Sequence, residues 1–467
     1  MSTYTVGPNS DFPSIAAAMQ VSGPGDILRL EFGYSNETAT IAFSGMTISG
    51  GTYSHNIILN LSLGVATVTL TGNAPIRVHD ASDGNGIVGN AGNNLITVTG
   101  GVDAVDGGLG VDRLVVDYRD AIGAVTGDST SNFTEAGGGG RMVTITDGTI
   151  EHFTILSGNG TDTITTGAGN DIIKTGQGAS TVSAGQGANT IVGGANADTI
   201  TALDGGNSVH AGNGANTITT GGGADVIYCG LGADTIIAGG GSDRITLRGG
   251  ADSVNAGAGD DRLIIDYTAM TSNISGGVTG GNLLTGYVGH VADLVGSSVD
   301  FQASENFTII AGSGNDALTA GNGADVLWGN AGSDRLNGGG GQDQMDGGAG
   351  SDTLRGGLGT DTVKGGAGAD IFVFASVAEA STGFGDDLIS DFQIGIDRIA
   401  LAAIDADLNT AGNQSFHFIG STQFSSVAGE LRYANGLVTG DVNGDSVADF
   451  VINIGAVSGL AQGDFLL

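Results

Sequence analysis

The sequence predicts an all-β protein whose main body is a right-handed parallel β-solenoid, in which short strands stack coil upon coil. A nine-residue register runs without a break from 311 to 373, and again from 157 to 264. Its eighth position is always apolar, and Gly is concentrated in the first four. Fixed short periods of this kind indicate a solenoid, because each repeat buries its apolar residue only against its neighbours. Gly is 89 of 467 residues but Pro only 4, which excludes collagen and Pro-rich linkers.

The clearest register, at 311–373 and called here the last ladder, begins AGSGNDALT-AGNGADVLW-GNAGSDRLN and has Asp at the sixth position of all seven repeats. This is the pattern G-G-x-G-x-D-x-U-x, the signature of a calcium-binding β-roll. We expect two nonapeptides per coil and coils roughly 4.8 Å apart. The Asp of one repeat then lies over that of the repeat 18 residues later. Two carboxylates with turn carbonyls make an all-oxygen cage that suits Ca²⁺.

Two further ladders carry the same register. The first ladder (80–115) has Asn85 and Asn94 at the sixth position before any Asp. The middle ladder (157–264) has twelve repeats. The predicted metal ligands of the three ladders are Asp103, Asp112, Asp162, Asp171, Asp198, Asp225, Asp234, Asp243, Asp252, Asp261, Asp316, Asp325, Asp334, Asp343, Asp352, Asp361 and Asp370.

The middle ladder is poor in acids between 175 and 219, where Ser or Asn interrupts every Asp pair. Ligand charge is a main control on calcium affinity. We therefore predict dense calcium in 225–261 and 311–373, and little between 175 and 219. There the Asn side chains should hydrogen-bond along the solenoid axis.

A larger unit contains the ladders and occurs twice. DRLVVDY (112–118) returns as DRLIIDY (261–267), and EHFTIL (151–156) returns as ENFTII (305–310). Each pair encloses an irregular segment, 119–150 or 268–304. These inserts are either paired excursions from the solenoid or degenerate coils. The predicted regions are 1–79, 80–118, 119–156 (insert), 157–267, 268–310 (second insert), 311–373 and 374–467.

Residues 1–79 read as the capped start of a β-helix. FPSIAAAM (12–19) predicts a short helix with Pro13 near its start. The segments LRLEF, TATIAF, MTISG, NIILNLSL, VATVTL and IRVHD then predict short strands. A cap is needed because an open solenoid end is an aggregation-prone edge.

The ladders resemble those of the repeats-in-toxin (RTX) family of secreted calcium-binding proteins. Residues 374–467, with GDDLISDFQIGIDRIALAAID and GDVNGDSVADFVINI, resemble the β-rich C-terminal domain of the serralysins. The ending Asp464-Phe465-Leu466-Leu467 is similar to the uncleaved signal read by type I (ABC) exporters. This resemblance implies bacterial type I export to the extracellular space or the cell surface. It agrees with the lack of a signal-peptide pattern at the N-terminus.

The resemblance to serralysins does not extend to their protease activity. H-E-x-x-H is absent, and the six histidines never form an i, i+4 pair. Asp441, Asn443, Asp445 and Asp449 occupy positions one, three, five and nine of an EF-hand-like loop, but Ile452 replaces the bidentate Glu. This loop is either a weak calcium site or an Asx-rich turn.

Charge and composition exclude several classes of partner. The formal net charge is −35, which argues against nucleic acid and anionic membranes. No apolar run is long enough for a transmembrane helix, so we expect no membrane insertion. The single cysteine, Cys229, cannot form an internal disulfide.

These observations predict a secreted, non-catalytic protein that folds on Ca²⁺ outside the cell and acts in a surface layer, matrix or adhesion. Its partners would be calcium, the type I exporter and either itself or cell-surface polysaccharide. The alternative is a polysaccharide epimerase or lyase with its site in the N-terminal β-helix. The candidate residues for that activity are Tyr53, Arg77, His79, Asp80 and Asp83.

Overall fold

A computed structural model describes residues 1–51, 54–80, 83–137, 139–380 and 387–467. The chain divides into two compact units, Met1–Gly230 and Leu231–Leu467. Each unit contains two sheets of short strands, and successive strands alternate between them along most of its length. Nearly all pairings are parallel, so the predicted parallel β-solenoid is confirmed.

The described residues of the first unit contain one α-helix, α1 (Ile15–Met19). Its strands are β1 (Thr3–Val6), β2 (Ile27–Leu30), β3 (Ser35–Ile41), β4 (Met46–Gly50), β5 (His55–Leu61), β6 (Thr67–Gly72), β7 (Ile76–His79), β8 (Gly86–Val88), β9 (Leu95–Val98), β10 (Val102–Asp106), β11 (Arg113–Asp117), β12 (Val125–Asp128), β13 (Asn132–Glu135), β14 (Met142–Ile145), β15 (His152–Leu156), β16 (Thr163–Thr165), β17 (Ile172–Lys174), β18 (Thr181–Ser183), β19 (Thr190–Val192), β20 (Thr199–Thr201), β21 (Ser208–Gly212), β22 (Thr217–Thr219) and β23 (Val226–Cys229).

The second unit has 3₁₀ turns at Val377–Ala380 and Gln462–Asp464. Its strands are β24 (Thr235–Ile237), β25 (Arg244–Leu247), β26 (Ala251–Asn255), β27 (Arg262–Asp266), β28 (Ile274–Asn282), β29 (Gly286–Asp293), β30 (Ser298–Ser304), β31 (Asn306–Ile310), β32 (Ala317–Thr319), β33 (Val326–Trp328), β34 (Arg335–Gly341), β35 (Gln344–Ala349), β36 (Thr353–Gly359), β37 (Thr362–Ala367), β38 (Ile371–Val373), β39 (Asp387–Ile389), β40 (Arg398–Ala400), β41 (His417–Phe418), β42 (Glu430–Ala434), β43 (Leu437–Asp441), β44 (Phe450–Asn453) and β45 (Phe465–Leu466).

The eighth residue of each nonapeptide forms the core. Ile164 pairs with Val182, and Val182 with Ile200, always 18 residues apart. Leu318 pairs with Leu336 in the same way. These side chains are at most 2% exposed. Full burial of such a side chain is worth about 1.5–3 kcal/mol. Two nonapeptides per coil, as predicted from the spacing, are therefore confirmed.

The N-terminal region is solenoidal from its first strand. Strand β1 pairs with β2, and the parallel series β2, β4, β6 and β3, β5, β7 lead into the first ladder. The predicted helix begins later than Pro13, because the Ser14 hydroxyl caps it by accepting the N–H of Ala17 at 3.0 Å. Its residues Ile15, Ala18 and Met19 are buried.

Both inserts have the same architecture. In the first, β14 pairs parallel with β10, β13 runs antiparallel between β14 and β12, and β12 pairs parallel with β16. In the second, β30, β29 and β28 connect β26 to β32 in the same way. Meanwhile β11 pairs directly with β15, and β27 with β31. Each insert thus places three strands in one sheet where a regular coil has one, and remains part of the solenoid wall.

The recurring DRL and E-x-F-T-I motifs are these directly paired strands. The Arg113 guanidinium donates to the Phe153 carbonyl and Thr154 hydroxyl, both at 3.0 Å, and to the Asn170 carbonyl at 2.8 Å. Arg262 makes the equivalent bonds in the second unit. Each Arg joins three successive coils across the insert, which explains why the motif occurs at both positions.

The C-terminal region closes the second unit with shorter strands. Strand β38 is followed in its sheet by β40 and then β45, so Phe465 pairs with Ile399. The Asp464 carboxylate accepts the N–H of Gly395 at 2.7 Å. In the other sheet, the antiparallel strands β42, β43 and β44 join β39. No helix in the described ranges is long and apolar enough to span a membrane.

Candidate metal centres

A column of hydrogen bonds runs through the sixth positions of the ladders. The backbone N–H of Asp334 donates to Oδ1 of Asp352 at 2.8 Å, and that of Asp352 to Oδ1 of Asp370 at 2.9 Å. Asp325 and Asp343 are joined in the same way at 2.9 Å. Every predicted ladder Asp is at most 2% exposed. One carboxylate oxygen therefore serves the solenoid backbone and leaves the other for a different contact.

The second oxygen, Oδ2, has no hydrogen-bond partner at many of these positions. Within the described residues, this holds for Asp103, Asp112, Asp252, Asp261, Asp334, Asp343, Asp352, Asp361 and Asp370. A buried acceptor without a donor is costly, and a buried unpaired charge more so. These oxygens require a cation or a proton.

The pKa values of these carboxyls reflect the same requirement. Burial raises the pKa of Asp343 to about 8 and that of Asp334 to about 7. It also raises the pKa of Asp252 and Asp103 to about 7, and that of Asp112 to about 6. In the absence of a metal, these carboxyls take up protons at a far higher pH than an exposed Asp does.

The Asn residues of the ladders reveal what surrounds the second side-chain atom. The amide nitrogens donate to the carbonyl of the fourth residue in the same turn: Asn94 to Gly92 at 2.7 Å, Asn207 to Gly205 at 2.8 Å. Asn207 also reaches the carbonyl of Leu203, the second residue, at 2.9 Å. Since the Asn Oδ1 takes the backbone role of Asp Oδ1, an Asp Oδ2 faces these same carbonyls.

We call the space between the Asp Oδ2 and the turn carbonyls the cradle. Glycine at the first position of the repeat keeps this space open. A Cβ on Gly347 would lie 2.5 Å from Asp352 Oδ2 and 2.6 Å from the Gly365 carbonyl oxygen. Gly338 is placed similarly, 2.3 Å from Asp343 Oδ2. Five consecutive repeats of the last ladder have Gly here: Gly329, Gly338, Gly347, Gly356 and Gly365.

The donor set fits calcium. Each cradle combines a carboxylate oxygen with turn carbonyls, which are hard oxygen ligands of the kind that Ca²⁺ prefers. Among the described residues, no three His, Cys, Asp or Glu side chains converge on one point. Backbone carbonyls must therefore supply much of the coordination, which explains the demand for Gly in these turns.

Sequence reasoning did not identify four acidic residues that continue the columns. The N–H of Asp112 donates to Glu151 Oε2 at 2.6 Å, and that of Asp261 to Glu305 Oε2 at 2.9 Å. These glutamates replace the next Asp where an insert interrupts the register. Beyond the last ladder, Asp387 and Asp397 accept from Asp361 and Asp370 at 2.8 and 3.0 Å. The presence of Glu in both E-x-F-T-I motifs was the sequence feature from which the role of these two glutamates could have been predicted.

The EF-hand-like loop is closed by its own hydrogen bonds. Buried Asp441 accepts the N–H groups of Gly444 and Ser446, and Asp449 that of Val442 at 2.7 Å. Asn443 and Asp445 are exposed and accept N–H groups two residues ahead. These bonds are those of an Asx-rich turn. Calcium binding by this loop stays a prediction.

Of the N-terminal catalytic candidates, Asp80 and Asp83 lie close together, because the side-chain amide of Asn85 donates to Oδ1 of both. Asp80 Oδ2 accepts the N–H of Thr99 at 2.9 Å, and its Oδ1 accepts the amide of Asn85 at 2.7 Å. Arg77 lines a cleft with Asn56 and Asn93. His79 lies in β7, paired with Asn60 and Thr97 of adjacent strands. Asp83 accepts the N–H of Gly64. Tyr53 lies outside the described residues.

The cradle geometry predicts the effect of one methyl group. Gly347→Ala should remove about one bound Ca²⁺ from the chain, because its Cβ would enter the space between Asp352 Oδ2 and the Gly365 carbonyl. Equilibrium dialysis with metal analysis measures the stoichiometry. Gly463→Ala is the control, since a Cβ there meets nothing within 4 Å. Unchanged stoichiometry in Gly347→Ala would refute this placement of the metal.

Comparison with known families agrees with these ladders. The model of the RTX calcium-binding nonapeptide repeat, in four copies, matches residues 82–114, 156–191, 175–209, 201–236, 228–263, 310–345 and 346–375. No curated protein matched the chain. The matches do not extend to 376–467, so the serralysin-like C-terminal domain stays a prediction. With the repeated cradles, they show that the ladders belong to the RTX calcium-binding nonapeptide repeats, which bind multiple Ca²⁺ ions.

Proposed function

We propose that this protein is an extracellular, non-catalytic scaffold that folds on calcium after type I export and serves as a structural, surface-layer, matrix or adhesion component. The observation that carries the proposal is the row of buried, unpartnered Asp oxygens in the last ladder. The chain cannot neutralise them itself, because it has 14 basic residues against 49 acidic ones. Its fold therefore depends on a cation from the surroundings.

The location of the protein would then control its folding. Extracellular calcium modules bind with Kd values of about 10⁻⁴–10⁻³ M, far above cytosolic calcium. Inside the cell, the ladders would stay unfolded and suitable for transport. In the folded protein, Asp464 and Phe465 are buried at the end of the solenoid. An exporter that reads these residues would have to do so before calcium binds.

The proposed metal ligands are the ladder Asp residues together with turn carbonyls, and Glu151 and Glu305 at the inserts. A non-catalytic role is supported by Asp80, because its Oδ1 accepts the amide of Asn85 and its Oδ2 accepts the N–H of Thr99. His79 and Arg77 lie in the same strand, but the cleft that Arg77 lines contains none of the other described candidates. The protein would act through a surface on which similar side chains recur from coil to coil, as in other solenoids that bind partners along their repeats.

Cell fractionation and particle sizing test the proposal together. Producing cells with a type I exporter should release the protein into the medium or hold it at the surface, with a cytosolic enzyme as the fractionation control. Purified protein in millimolar calcium should form folded particles or ordered assemblies by electron microscopy and light scattering. Retention in the cytosol would contradict the extracellular role. Turnover of a polyuronate, measured by product analysis, would contradict the non-catalytic role.

A further inference from the structure

The middle ladder contains coils whose sixth residue supplies its own hydrogen to the cradle. Asn189 Nδ2 donates to the Gly187 carbonyl at 3.0 Å, and Asn216 Nδ2 to the Gly214 carbonyl at 3.1 Å. Asn207 Nδ2 donates to the carbonyls of Gly205 and Leu203. In each case the amide points at the fourth-position carbonyl of its own turn. The amide nitrogen thus takes the place that the carboxylate oxygen Oδ2 has in an Asp coil.

The amides also continue the axial column. Asn189 Nδ2 donates to Asn207 Oδ1 at 3.1 Å, and Asn207 Nδ2 to Asp225 Oδ1 at 3.0 Å. An Asn side chain has the shape of Asp but carries two donors and no charge. It therefore satisfies both the column and the turn carbonyls without a metal, whereas an ionised Asp has no hydrogen to donate to those carbonyls.

The other two sixth-position residues between 175 and 219 are satisfied as well. Ser180 accepts the N–H of Asp162 at 3.2 Å through its hydroxyl. Asp198 accepts the N–H of Ser180 through Oδ1 at 2.8 Å and that of Gly194 through Oδ2 at 3.1 Å. This contrasts with Asp334 and Asp343, whose Oδ2 atoms have no donor.

The core of this segment is intact. Its eighth-position residues Val182, Ile191, Ile200, Val209 and Ile218 are at most 2% exposed. The strands pair in strict register, as in Val182 with Ile200 and Ile191 with Val209. Apolar stacking and polar satisfaction, which together decide the stability of a coil, are both present without an added ion.

We infer that residues 175–219 form a calcium-independent segment of the solenoid, in which Asn amides take the place of the metal. This inference rests on the proposed calcium cradles of the Asp coils. The segment binds no calcium, although the RTX repeat matches residues 175–209. It stays folded when calcium is removed. Because solenoid folding can start at any stable repeat and spread to its neighbours, this segment nucleates the flanking coils of its unit.

Hydrogen exchange of the full chain tests the inference directly. In chelator, peptides from 184–219 should exchange on the order of a hundredfold more slowly than peptides from 329–370. In calcium, both sets should be protected. Equal, fast exchange of both sets in chelator, with protection of 184–219 only after calcium is added, would overturn the inference. If calcium protects neither set further and none binds, the proposed calcium function fails instead.

A reciprocal exchange of side chains gives a second, matched test. The triple variant Asn189→Asp, Asn207→Asp, Asn216→Asp should bind up to about three more Ca²⁺ ions and lose the protection of 184–219 in chelator. The triple variant Asp334→Asn, Asp343→Asn, Asp352→Asn should bind about three fewer and gain protection of its coils in chelator. Metal stoichiometry and hydrogen exchange are measured on both. Unaltered stoichiometry in both variants would show that the amides do not replace the metal.

Discussion

Removing calcium from the full chain is expected to unfold the last ladder from Gly329 to Asp370. Five successive cradles there have Gly at the first position and an Asp whose Oδ2 lacks a donor. Without a cation, each coil buries an acceptor or a charge with no compensation, and its small core offsets little chain entropy. Metal binding and folding of this ladder are therefore one equilibrium.

Circular dichroism and hydrogen exchange of the full chain measure this effect. Chelator should remove much of the β signal and the protection of 329–370, and excess Ca²⁺ should restore both. An equal concentration of Mg²⁺ is the control and should not restore them, because Mg²⁺ demands stricter octahedral geometry and releases its water reluctantly. Full protection of 329–370 in chelator would disprove the coupling.

Acidification is expected to stabilise the metal-free last ladder. Burial raises the pKa of Asp343 to about 8, that of Asp334 to about 7, and that of Asp370 to about 6. An unfolded Asp has a pKa of about 3.9, so the folded ladder holds more protons than the unfolded one. Its stability without metal is therefore greatest below pH 4 and is lost as the pH rises from about 4 to about 8.

The pH effect reverses when calcium is present, because protons and Ca²⁺ compete for the same oxygens. A denaturation series from pH 5 to pH 8 should show stability falling with pH in chelator and rising with pH at limiting calcium. The triple variant Asp334→Asn, Asp343→Asn, Asp352→Asn is the control, since it removes three of the titrating groups. A flat profile in chelator would contradict the assigned proton uptake.

The repeat period predicted the coil correctly because the core contacts join equivalent positions of neighbouring coils, 18 residues apart. Once residue 318 is apolar and residue 336 is also apolar, stacking at 18-residue intervals buries both, and the structure pairs them in this way. The buried Asp positions followed from the same register. The prediction did not reveal the unequal roles of the two carboxylate oxygens, because the N–H donor to Oδ1 comes from another coil.

The strand arrangement of the two inserts could not be predicted from the sequence. Nothing in 119–150 or 268–304 repeats, so their three-stranded antiparallel arrangement could not be read from the period. Their strands are fixed by partners on both sides, β10 and β16 in the first unit. The role of Glu151 and Glu305 also depends on this arrangement, because the insert brings each glutamate over an Asp 39 or 44 residues earlier.

The sequence by itself determined the solenoid, its inward apolar column and the placement of Asp or Asn at each turn. The reason is that a fixed nine-residue period puts each position of the repeat on the same side of every coil. Only the tertiary structure decided how the second side-chain atom of each sixth-position residue is satisfied. That outcome depends on whether the second side-chain atom meets a donor: Asn207 supplies its own hydrogen to the turn carbonyls, whereas Asp343 Oδ2 has none. These hydrogen bonds join atoms from several segments of the chain, and so they exist only in the folded protein.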